Sequence, residues 1–173
     1  MSELGAPADH AWRSSVVRDF AASELFDRTF QEGMDLVEET AAYLDGAGRH
    51  DSKRLARRAA LAYASESMHL TTRLMQMASW LLVQRAVREG QMAADEACND
   101  RYRLTQDMFE TLTAEQAEHL PPGLVQLLER ANRLYERVLH LDRRMYLEPQ
   151  ADADSHPVLS QMDRLQAAFG GRA

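Results

Sequence analysis

Cysteine is almost missing from this 173-residue chain: Cys98 stands alone. That excludes an internal disulfide framework and a multi-cysteine zinc site. Glycine and proline are sparse, at 8 and 5 residues, where average usage would give about 12 and 9. A β-rich fold with many tight turns is therefore disfavoured. Positive charge is in the minority, with 20 Lys and Arg against 27 Asp and Glu and a net charge of −7. That balance is opposite to the basic footprint of a dedicated nucleic-acid binder. The densest apolar stretch, Met77 to Val83, is far short of the roughly 20 residues of a membrane span. No basic-then-apolar leader opens the sequence, so a cytoplasmic protein is expected.

What is present points to helices. Apolar residues make up 45% and charged residues 27%, an ordinary globular balance. Phe26, Phe30, Met34, Val37, Ala41 and Leu44 recur every three or four residues from a start near Asp19, which is one face of a helix. The pattern stops at Asp45-Gly46-Ala47-Gly48, where glycine suits a left-handed cap. With Asp51 or Ser52 as cap, a second helix over 52–88 is uninterrupted by Gly or Pro and would be about 55 Å long. It carries two stripes. Ala56, Ala60, Tyr63, Ser67, Leu70, Leu74, Met77 and Leu81 keep a 4–3 rhythm, while Leu61, Met68, Met75 and Leu82 repeat every seven residues on nearly the opposite side. Small residues lie between the members of the second stripe: Ala64, Ser65, Thr71, Thr72, Ala78 and Ser79. A helix apolar on two sides is the central member of a bundle or of an oligomer.

The third long helix is expected over 124–147, with Leu124, Leu127, Ala131, Leu134, Val138, Leu141 and Met145 at heptad a and d positions. Between helices two and three, Ala94 to Phe109 suits an amphipathic helix, Thr113 to Gln116 reads as a capping box, and Leu120-Pro-Pro-Gly123 as a break. The resulting architecture is all-α: an antiparallel three-helix bundle over 19–148 with a long central helix. Flexible tails are expected at 1–18 and 149–173. Beyond the polar run 151–157, Val158, Leu159, Met162, Leu165 and Phe169 form a short amphipathic strip. It is too short to be a stable helix alone and is either a frayed end or a recognition segment that folds on a partner.

Charge is segregated. Residues 19–45 hold eight acids and one base, 51–88 seven bases and two acids, and 89–119 eight acids and two bases. Acidic helix one is expected beside basic helix two, and the acidic connector, with Tyr102 and Phe109, is a candidate docking surface. The longer second helix leaves an overhang, placed at Trp80 to Arg88, for the connector, the third helix or another chain to cover.

Chemistry is thinly represented. Glu66 and His69 form one Glu-x-x-His pair, whereas carboxylate-bridged di-iron bundles need two such pairs and two further Glu. Ser65 and His69 are one turn apart, but the amides around a mid-helix serine are consumed by the helix and cannot form an oxyanion hole. Cys98 has Asp95, Glu96 and Asp100 nearby as well as Arg101 and Arg103, so no depressed thiol pKa is indicated. No catalytic, metal or cofactor residue is assigned. The alternative function is a small DNA-associated regulator using Arg49, Lys53, Arg54, Arg57 and Arg58, or Arg130, Arg133 and Arg137.

Three segments carry a resemblance. Ser23 to Gly46, Leu61 to Val87, and Leu124 to Arg144 with Arg-Leu-Tyr-Glu-Arg-Val at 133–138 resemble the three helices of the RcdA family, regulators of CtrA degradation. Ser65 to Arg85 is the most specific part, and the likeness covers most of 20–147. The resemblance implies a bacterial cell-cycle adaptor without enzymatic activity. Such proteins join a ClpXP protease primed by CpdR and deliver cargo such as TacA, or PopA, which presents CtrA. It also implies a three-helix bundle that forms homodimers, a tail needed for activity (here Leu159, Met162, Leu165 and Phe169), and recruitment to the stalked cell pole.

Overall fold

The structure is a computed structural model that describes residues 6–105 and 112–146, with side chains from His10 onward. It is helical throughout, with no strand among the described residues. The elements are α1 (Ala6–Ala21), α2 (Glu24–Asp45), α3 (Ala47–Ser52), α4 (Arg57–Arg88), α5 (Ala94–Ala97), a 3₁₀ turn (Asp100–Tyr102), α6 (Ala114–Glu118) and α7 (Pro122–Tyr146).

The boundaries have local causes. Ser23 opens α2: its hydroxyl accepts from the Phe26 amide at 3.1 Å and donates to the Phe20 carbonyl at 2.6 Å. This N-cap starts the helix four residues later than Asp19. Gly46 closes α2 with φ −109°, outside the left-handed region. The long helix begins at Arg57, after the separate turn of α3, and its N-cap is Ala56 rather than Asp51 or Ser52. The Thr113–Gln116 capping box forms as expected. The helix expected over 94–109 is instead α5 followed by the 3₁₀ turn, with 106–111 outside the described residues.

Helix direction corrects the simple bundle. Arg88 pairs with Asp27, Arg85 sits over the Phe30 ring, and Gly33 abuts Leu81, so α2 is antiparallel to α4. Tyr135 lies by Gln76, Asp142 by Trp80 and Tyr146 by Gln84, so α7 runs parallel to α4. An up-down-up bundle would place α7 antiparallel to α4. The connector over 89–121 makes the observed order possible, because its length carries the chain back along the bundle before α7 begins.

A second correction is at the N-terminus. The lead-in expected over 1–18 is helical from Ala6, and α1 packs on α4, α5 and α7. Val17 and Ala21 are fully buried, and the Phe20 ring meets Phe26 and Trp80 with centroids 5.8 and 5.7 Å away. Pro7 stands in the first turn of α1, where a proline is tolerated. Trp80 to Arg88 is therefore no overhang beyond α2, whose Asp27 pairs with Arg88, and α1 covers it together with α5 of the connector and the end of α7, two of the expected covers. The end of α4 left beyond α2 is the N-terminal one, beside α6.

The core runs along one face of α4, with Tyr63, Leu70, Leu74, Met77, Trp80 and Leu81, and one face of α7, with Leu124, Leu127, Ala131, Leu134, Val138 and Met145. Burial of each large side chain is worth about 1.5–3 kcal/mol. On α2 the deepest row is Phe26, Thr29, Gly33, Leu36 and Thr40. It is rotated from the expected row, of which Phe30, Met34, Val37 and Leu44 are half-buried and Ala41 is exposed. The reason is close approach: a Cβ on Gly33 would lie 2.6 Å from Leu81 Cδ1. Gly33 lets α2 lie close against α4 at Leu81, with Phe26 and Leu36 buried in the same row and Phe30, Met34, Val37 and Leu44 beside it.

Candidate functional site

The candidate site is a surface on α4. Leu61, Met68, Met75 and Leu82 are 66%, 70%, 65% and 51% exposed. Ala64, Ser65, Thr71, Thr72 and Ser79 between them are exposed as well. Leu61, Met68, Met75 and Leu82 lie opposite the seam that meets α2 and α7, and no described element covers them. The face spans about 30 Å along the helix axis at 1.5 Å per residue. An apolar row of this length on a protein surface marks an interaction site.

Glu66 and His69 meet on a half-exposed flank of α4, with Nδ1 to Oε1 at 3.6 Å. Among the described residues no group of three or more His, Cys, Asp or Glu is arranged to hold a metal. Ser65 is exposed on the apolar face. The Cys98 thiol donates to the Ala94 carbonyl at 3.2 Å. Burial pushes its pKa up, against the opposing effects of Ser14 and Arg13, so the thiol is held protonated.

A buried polar clasp fastens the connector to the bundle, and sequence reasoning missed it. Asp142 is fully buried. It accepts from Trp80 Nε1 at 2.9 Å and from Arg103 at 3.1 Å. The Arg103 guanidinium lies over the Tyr146 ring, 4.8 Å from its centre. Tyr146 donates to the Ala97 carbonyl and accepts from Gln84, both at 3.2 Å. Burial pushes the Tyr146 pKa up to about 12. One rung lower, Tyr135 donates to the Thr105 carbonyl at 2.5 Å. The signal was available: Leu128, Tyr135 and Asp142 repeat every seven residues beside the a/d row, and all three are buried. Two of them, Tyr135 and Asp142, bond Thr105 and Arg103 of the connector.

Of the expected docking pair, Tyr102 is half-buried. Its hydroxyl accepts from Arg101 at 2.6 Å, and the Arg101 guanidinium lies 4.6 Å from its ring centre. Phe109 lies outside the described residues, as do the tail residues Leu159, Met162, Leu165 and Phe169. The basic residues of α7 pair across to acidic α2: Arg130 with Glu39 at 2.7 Å and Arg137 with Glu32 at 2.5 Å. Among the described residues acidic α2 thus pairs with α7 as well as with α4, where Arg88 meets Asp27. Among the described residues no helix is long and apolar enough to cross a membrane.

Among the described residues, buried faces, a strapped connector and an exposed apolar stripe describe a helical interaction protein. No curated protein sequence matches the chain. Residues 17–169 match the family described as "Protein of unknown function (DUF1465)". Among solved structures, the chain is similar to RcdA from Caulobacter crescentus CB15. The two are 66% identical over 76% of this chain and 98% of that one, with a TM-score of 0.63. The chain belongs to this family, that of RcdA.

Proposed function

We propose that this protein is a non-enzymatic adaptor that brings cargo to a CpdR-primed ClpXP protease. CtrA, presented through PopA, and TacA are the cargo that the resemblance implies, and the stalked cell pole is the place of action. The observation that carries this reading is the 66% identity spanning nearly all of the RcdA chain. The bare stripe Leu61, Met68, Met75 and Leu82 supports a homodimer, since two copies crossing there would each cover the other's exposed side chains. Tyr102 and the acidic connector, with Phe109, are the surface proposed for cargo. The C-terminal residues Leu159, Met162, Leu165 and Phe169 are proposed to reach the protease. An adaptor built this way needs only weak individual contacts, because tethering raises local concentration to about the millimolar range.

The test is reconstituted degradation of TacA by ClpXP and CpdR, with and without this chain. Degradation is expected to be much faster with the chain present. Equal rates would overturn the reading. Removing the residues after Pro149 is expected to abolish the stimulation while circular dichroism shows the bundle still folded. Full stimulation without them would refute the role given to the tail.

A further inference from the structure

Basic residues gather where α3 turns into α4, and the fold leaves them unpaired. Residues 46–58 hold Arg49, Lys53, Arg54, Arg57 and Arg58 against one acid, Asp51. The five cations are exposed, and Asp51 is half-buried. Elsewhere cations are neutralised across the fold: Arg88 by Asp27, Arg103 by Asp142, Arg130 by Glu39 and Arg137 by Glu32. Among the described residues none of the five at this corner pairs with a carboxylate. The acids of α2 pair with Arg88 at the far end of α4 and with α7, and leave this end alone. Arg57 and Arg58 also stand in the first turn of α4, which holds no acid, although a helix start favours acids over bases. Crowded like charge of this kind destabilises the folded chain, so its use lies outside the fold. Beside the corner, between the start of α4 and α6, runs a groove of about 610 Å³. Arg58 lines it with Ala59, Ala62, Leu112 and Leu120, and Glu66 and Glu115 are its acids.

We propose that this corner docks a short acidic segment of a partner protein, with carboxylates on the five cations and one apolar side chain in the groove. Four of the five are arginine, whose planar fork holds a carboxylate through two parallel hydrogen bonds. The alanines on the α4 side of the groove leave room for an apolar side chain, which a phosphate does not bring. Extent decides against a longer polyanion. Outside 46–58 the chain carries 15 bases and 26 acids, and charge is felt over about 8 Å at physiological salt. A nucleic-acid duplex or an anionic membrane is wider than that and meets the acidic remainder as well. A short segment meets the corner alone. The site is separate from Tyr102 and the acidic connector, which attract the opposite charge. It rests on the proposed function only in that the chain binds other proteins.

The test uses the full chain and a displayed library of twelve-residue peptides, each rich in Asp and Glu with the other positions random. The best recovered peptide, labelled with fluorescein, is titrated by anisotropy. Lys53→Glu with Arg54→Glu and Arg58→Glu is expected to weaken its binding about tenfold or more. Arg18→Glu with Arg133→Glu and Arg144→Glu makes the same charge change at three exposed sites away from the corner and should cost about twofold at most. Lys53→Gln with Arg54→Gln and Arg58→Gln removes the charge without reversing it and should also weaken binding, whatever the reversal does to folding. Serine in place of the peptide's apolar residue should weaken it too. Equal losses in the two glutamate variants would reduce the effect to net charge and overturn the inference. Tighter binding of a twenty-base-pair duplex, or of phosphatidylserine vesicles, at the same salt would overturn it in favour of nucleic acid or membrane. Loss of self-association by the folded corner variant in sedimentation equilibrium would give the cations to a second copy and overturn it, as would recovery of no binding peptide. No protease enters these measurements, so their failure is separate from failure of the delivery reading.

Discussion

The two long faces of α4 are alike in composition and opposite in surroundings. Leu70, Leu74, Met77 and Leu81 are closed off by α2 and α7, while Leu61, Met68, Met75 and Leu82 stand in solvent. Heptad spacing marks both equally. The difference is in the neighbour: α2 offers Gly33 where Leu81 must fit, and no described element offers anything to Leu82. Apolar periodicity shows which faces need covering, and the pattern of small residues on a neighbour decides which one is covered within the fold.

Adjacent residues provide the hardest test of that contrast. Leu81→Ala is expected to cost about 3–4 kcal/mol, from lost burial and a residual cavity. Leu82→Ala should stay within about 0.5 kcal/mol, as surface changes do. Urea denaturation of both variants measures this, and equal losses would break the comparison.

The same contrast holds for charge. Asp142→Leu should destabilise by about 3 kcal/mol, because it strands Arg103 and the Trp80 indole N–H in the interior. Glu39→Ala, which breaks the exposed pair with Arg130, should cost less than about 1 kcal/mol. A small effect at Asp142 would show that the clasp does not secure the connector.

Titration sharpens the picture further. The phenol of Tyr146 has its pKa raised by burial to about 12 in the fold, against 10.0 ordinarily. Its contribution is therefore complete below pH 10 and is lost as pH climbs from 10 through about 12. This amounts to on the order of 2 kcal/mol. Tyr146→Phe should show a shallower alkaline decline by that amount, measured as urea midpoints across pH 9 to 12. An unchanged decline would remove Tyr146 from the account.

The smallest expected stability change is at Met75→Lys. It should leave the urea midpoint within about 0.5 kcal/mol while weakening self-association in sedimentation equilibrium. A large stability loss would place Met75 in the core.

How much was legible depends on which forces act locally. The helices carrying Leu70 to Leu81 and Leu124 to Met145 were readable, because repeated apolar spacing is itself the cause of their burial. The Thr113 box was readable, because a cap is a contact within four residues. The N-terminal helix was missed because Val17, Phe20 and Ala21 gain their stability from Trp80 and Phe26 rather than from local pattern. The parallel placement of α7 was missed because helix direction is set by the path of the 89–121 connector. The exposed stripe was identified by its spacing, but only its surroundings distinguish an outer face from a bundle contact. Asp142 was passed over because a single acid in a leucine-rich helix looks like a solvent residue until its partners, 62 and 39 positions away, are known.

The parallel pairing of α4 with α7 also sets the order in which the chain can be completed. Gln76 must await Tyr135, a partner 59 positions later, and joining such distant segments is slow relative to closing a hairpin. A nascent chain that has released only its first 121 residues lacks α7, the helix that closes one side of Leu70, Leu74 and Met77. Synthesis of α7 is therefore the step that supplies the cover for this apolar side of α4, which is exposed to aggregation until then.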